Sequence, residues 1–73
     1  MITAIDILYK PLEQLPITSE FMEMCRVNGF NTLEDIVKFH AWELTKKPLF
    51  KMRILKELIK LLESYGIENL LKD

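Results

Sequence analysis

Cysteine is almost missing from this chain: Cys25 stands alone among 73 residues. A lone thiol excludes an internal disulfide and any metal site built from several thiolates, and it agrees with a reducing compartment. Histidine is equally scarce. His40 has no set of ligands around it at metal-binding spacing, so it is read as a helix-start or surface residue, and no metal ion or cofactor is expected. Gly29 and Gly66 are the only glycines, which excludes a glycine-rich phosphate loop. No run approaches the ~18 uninterrupted apolar residues of a membrane span, and no basic N-terminal region precedes a long apolar stretch. A cytoplasmic protein without membrane contact is expected. Repeats, low-complexity tracts and linkers are also missing, which together with Met1 favours a stand-alone product.

An excess of charge of one sign is lacking too. Ten Lys and Arg face 11 Asp and Glu, for a net charge of -1. Modules held to nucleic acid by phosphate contacts usually carry a basic excess, so this balance leans against strong DNA or RNA binding. Lys46, Lys47, Lys51, Arg53 and Lys56 crowd one stretch nonetheless, and the usual reading of such a run is a solvated face.

What is present is apolar: 49% of the residues are hydrophobic and 29% are charged, outside the disordered class, so the chain folds. A chain this short buries only about 60% of the surface it exposes when unfolded, which leaves little room for a catalytic cleft. No enzyme and no small-molecule substrate are expected. Cys25 lacks a catalytic partner, and Glu20 and Glu23 read as an exposed acidic face.

Local signals place the elements. Pro11 and Pro16 prevent a long helix through residues 1–16, which read as an extended arm with one short turn, its Leu8, Leu12 and Leu15 packing on the body. Thr18 caps a helix from Ser19 to Asn28 with Phe21, Met24 and Cys25 inward; Gly29 stops it in the left-handed conformation and Phe30 folds back. Thr32 and Asp35 form a capping box before Leu33, Ile36 and Val37. A further turn spans His40 to Leu44, with Trp42 and Leu44 as buried anchors. The longest helix runs from Lys51 to Tyr65, with Leu55, Leu58, Ile59 and Leu62 on one face, and Gly66 and Ile67 repeat the earlier stop. The expectation is an all-α single domain over 1–73: a compact bundle of four to five short helices in a body over 17–67, after the N-terminal arm and before a tail at 68–73.

The order of these pieces resembles a known family. An arm ending in Pro11-Leu12-Glu13-Gln14-Leu15, a capped helix closed by Gly29-Phe30, then Leu33-Glu34-Asp35-Ile36-Val37, Glu43-Leu44-Thr45-Lys46-Lys47-Pro48 and a last helix closed by Gly66-Ile67 look like the C-terminal domain of the bacterial RNA polymerase alpha subunit, without a gap from about Ile7 to Ile67. The resemblance implies a helical bundle with a helix-hairpin-helix-like element that contacts upstream promoter DNA and transcription activators without doing chemistry. It also marks departures. The family's DNA-reading arginine falls at Glu20 and an asparagine one turn on falls at Glu23, while a nearby lysine is kept in kind as Arg26. The family's Gly-Lys-Lys-Ser segment aligns with Lys51-Met52-Arg53-Ile54, so the glycine that lets backbone N–H groups approach a phosphate is gone.

Three readings follow. The first is a transcription-linked protein-interaction module with weakened DNA contact, using a face of Glu20, Glu23, Phe50, Met52 and Ile54, to which Phe21 and Met22 add apolar surface. Its partner is a protein of the transcription machinery, by resemblance, and the chain is a monomer or a weak oligomer. The second keeps nucleic-acid binding through the basic cluster Lys46, Lys47, Lys51, Arg53 and Lys56, with the acidic residues turned away and with Arg26, Lys47, Lys51 and Arg53 as candidate contacts. The third is an oligomerisation domain like the sterile alpha motif, a fold analogy alone.

Overall fold

Helix punctuation dominates the architecture. The computed structural model describes residues 4–71; of the expected arm and tail, residues 1–3 and 72–73 lie outside the described residues. Five α-helices follow one another: α1 (Ala4–Tyr9), α2 (Ser19–Asn28), α3 (Leu33–Val37), α4 (Ala41–Leu44) and α5 (Met52–Ser64), with 3-10 turns at Leu12–Gln14 and Glu68–Leu70. Among the described residues there is no β-strand, so the chain is all-α.

Each boundary has a local cause. Thr18 is extended and its hydroxyl accepts the Phe21 N–H, starting α2, while Gly29 ends it at φ 73° and Phe30 N–H reaches back to the Cys25 carbonyl at 2.8 Å. α5 ends the same way, with Gly66 at φ 70° and Ile67 N–H donating to the Leu62 carbonyl at 2.9 Å. α3 opens on a capping box: Thr32 accepts the Asp35 N–H while the Asp35 carboxylate accepts the N–H groups of Asn31 and Thr32.

The N-terminal segment departs from the expectation. It is helical over Ala4–Tyr9, not extended, and packs on α3. Pro11 ends that helix without forbidding it, because the residues before it need no N–H from the proline. Ile7, Leu12 and Leu15 are buried and Leu8 half-buried, so the packing role of the segment stands.

One core runs through all of this. Phe21, Met24 and Cys25 of α2 and Leu33 and Ile36 of α3 meet Leu44 and, from α5, Leu58 and Leu62, all essentially without exposure. α5 turns its burial differently from the expected face: Ile54, Leu58, Leu61 and Leu62 are inside, Leu55 is half-buried and Ile59 is exposed. Trp42 is a second correction, since it is 55% exposed and Leu44 alone anchors α4. A four-residue helix has one inward position, and Leu44 takes it. The Cα radius of gyration of 11.2 Å equals the ~11 Å expected of a folded chain this long.

The α3 cap is testable by pH. Hydrogen bonds from the Asn31 and Thr32 N–H groups, with the nearby Lys38 charge, hold the Asp35 carboxyl below its ordinary value against a smaller opposing effect of burial. A depressed folded-state value means that Asp35 stabilises the fold above the ordinary carboxylate range and that this contribution is lost as the pH falls through the lower folded value. Asp35→Ala should therefore melt below the wild type at neutral pH, with the gap closing on acidification; a gap that ignores pH would show that the carboxylate charge plays no part. Thr32→Ala should cost about 1 kcal/mol.

Candidate interaction surfaces

The N-terminus of α2 and the N-terminal half of α5 lie against each other, and two side-chain contacts fasten them. Glu57, in the second turn of α5, accepts both the N–H and the hydroxyl of Thr18 at 2.8 Å each, so a residue of one helix completes the cap of another. Arg53, one turn before it, closes on the Glu20 carboxylate. Further along α2, Arg26 pairs with Glu23 at 3.0 Å. Two carboxylates thus meet two guanidinium groups on this face and their charges cancel.

Glu20 and Glu23 do share a surface with Arg26 and Arg53, but they are not turned away from the cations, as a phosphate-binding reading requires. Lys51 is the exposed N-cap residue of α5, and Lys47 lies apart, its ammonium 4.2 Å from the centroid of the Phe39 ring. The apolar part of the expected surface is corrected more sharply. Phe50 and Ile54 are 4% and 1% exposed and Phe21 is wholly buried, so all three belong to the core. Met22 is half-buried, and Met52, 62% exposed, is what remains of that apolar face.

Leu49 adds to it from the loop before α5. It is 45% exposed and is the one non-glycine residue with positive φ among those described, at 63°. Holding an L-residue there costs ~1–2 kcal/mol. The loop is tied down from outside, because the Asn28 side-chain amide donates to the carbonyls of Met24 and Pro48, both at 2.9 Å. Leu49→Asn, whose short polar side chain tolerates the left-handed region, should raise stability by ~0.5–1 kcal/mol in chemical denaturation. A loss instead would mean that the leucine side chain packs well enough to outweigh its backbone.

Chemistry-bearing groups elsewhere are occupied structurally. Burial, helped by the negative charge of Glu57, pushes the Cys25 thiol up to about 12, so it stays protonated across the neutral range. His40 is the N-cap residue of α4, and its N–H donates to Glu43 at 2.9 Å. Among the described residues no group of three or more His, Cys, Asp and Glu side chains could hold a metal ion. A hollow of about 260 Å³ between the Leu12–Gln14 turn and α2 reaches Arg26, and it falls below the ~300–1,000 Å³ of usual small-molecule pockets. Among the described residues no helix is long and apolar enough to cross a membrane.

A second surface is aromatic and basic. At the α3–α4 edge the Lys46 ammonium stands 5.1 Å from the Trp42 ring centroid, and the His40 ring lies 6.2 Å from the same ring at 25°. Lys38 and Lys47 approach the Phe39 ring at 5.9 and 4.2 Å. The sequence signal was there, an aromatic residue between lysines at helical spacing, but Trp42 reads as core on hydrophobicity alone. No family model, curated protein or solved structure matches this chain.

Proposed function

We infer that this chain is a non-catalytic, transcription-linked module that binds protein, arranged like the C-terminal domain of the RNA polymerase alpha subunit but with its DNA contact weakened. What carries the reading is the pairing of Arg53 with Glu20: the chief cation that the resemblance would aim at a phosphate is met by a carboxylate of its own chain. Both side chains are largely exposed, and such a pair is worth only ~0–1 kcal/mol, so it does not lock the arginine away. The carboxylate is the obstacle. A phosphate brought to ~4 Å of Glu20 meets about 1 kcal/mol of repulsion even in bulk water, and Glu23 adds its own. Exposed Met52 and the strained, exposed Leu49 flank the start of α5, where apolar groups suit a protein surface better than a sugar-phosphate backbone.

The test is a fluorescence-anisotropy titration of an AT-rich and a random duplex at two salt concentrations. The wild type is expected to bind neither at micromolar protein, while Glu20→Lys combined with Glu23→Lys gains salt-dependent binding. Wild-type binding that weakens with salt and disappears in Arg53→Glu would replace this reading with a DNA-contacting one.

A further inference from the structure

The segment that leaves α3 and runs through α4 is basic and aromatic at once. Residues 38–47 hold three lysines and one glutamate, a surplus of two positive charges in a chain whose net charge is -1. The glutamate is engaged, since Glu43 accepts the His40 N–H at 2.9 Å. Both ion pairs formed among the described residues involve arginines elsewhere; Lys38 lends its charge to Asp35 from beyond ion-pair distance, and neither Lys46 nor Lys47 forms an ion pair there. Their ammonium groups stand over the Phe39 and Trp42 rings, 4.2 to 5.9 Å from the centroids. A ring face orients a cation without using up its N–H donors. Trp42 itself is 55% exposed, and exposed tryptophan among cations is the residue type that anchors interfaces.

We propose that this edge docks a short acidic peptide segment of a partner protein, with Trp42 receiving an apolar side chain and Lys38, Lys46 and Lys47 meeting the carboxylates around it. Charge complementarity selects the acidic ligand, and the exposed indole selects one that also carries apolar residues. A peptide fits better than a nucleic acid for two reasons. The chain as a whole carries a net charge of -1, whereas a polynucleotide needs a basic track, and the arginines that would extend one stand beside the Glu20 and Glu23 carboxylates, which repel phosphate. The proposal does not rest on the function inferred for the α2–α5 face.

Trp42 is the only tryptophan, so its emission reports this edge alone. The probe is a short synthetic peptide of glutamates interrupted by two leucines, titrated beside the same peptide with lysines in place of glutamates and beside an oligothymidylate. The expected result is a saturable emission change with the acidic peptide, weakened by salt, and lost by about tenfold or more in Lys46→Glu combined with Lys47→Glu. The milder Lys46→Gln with Lys47→Gln should show the same loss in part, with circular dichroism verifying that both variants fold. No saturable change, an equal response to the lysine peptide, tighter binding of the oligothymidylate, or an emission change with protein concentration alone would each overturn the proposal.

Discussion

Phe21→Ala is expected to take the domain to the edge of unfolding. The ring is fully buried on α2, at the centre of the shared core. Truncating a buried phenylalanine costs ~3–5 kcal/mol, against a total stability of ~4–11 kcal/mol for a chain this long at ~0.05–0.15 kcal/mol per residue. The melting temperature should fall by roughly 12–40 °C in far-ultraviolet circular dichroism, at ~4–8 °C per kcal/mol in a domain of this size. Cys25 offers a second readout. Buried and protonated in the native fold, it should react with iodoacetamide only when the chain opens, and the variant should label much faster than the wild type. Ile59→Ala, on the exposed side of α5, should stay within ~0.5 kcal/mol of the wild type. If Phe21→Ala melted with the wild type, α2 would not be docked in solution as described.

Glu57→Ala should loosen the start of α2. Its carboxylate receives two donors from Thr18, and Thr18 in turn accepts the Phe21 N–H, so the start of α2 is held through α5. Hydrogen bonds to a charged acceptor are each worth ~1.5–3 kcal/mol when well shielded; discounted for solvent access, the pair should contribute ~1–2 kcal/mol together. Glu57→Gln, which keeps acceptor atoms but removes the charge, should fall between. A double-mutant cycle with Thr18→Ala isolates the contact, and a coupling near zero would mean that the two helices are not joined this way.

Local chemistry was legible in the sequence; long-range geometry was not. Thr18, Gly29, the Thr32 and Asp35 box and Gly66 each act on backbone groups within a few residues, which is why α2 was expected over Ser19 to Asn28 and lies there. Pro11 and Pro16 mask the first helix in the sequence, because the burial that Ile7 finds as α1 packs on α3 lies outside any local pattern. Phe50 and Ile54 entered the core while Met52 stayed out, a choice made by how the start of α5 rotates against α2 and not by hydrophobicity, which all three share. The pairs that define the α2–α5 face join residues 33 and 39 positions apart, and no periodic pattern encodes such a meeting.

Gly29 and Gly66 close their helices at φ 73° and 70°, and an added Cβ would meet nothing within 4 Å at either place. Both positions therefore demand a handedness and not a volume. Nature's only achiral residue supplies that sense of turn by default, at the cost of extra freedom in the unfolded chain. A mirror-image alanine would supply the same sense of turn with less of that freedom, fit the open space beside each stop, and leave every other contact of the fold as it is.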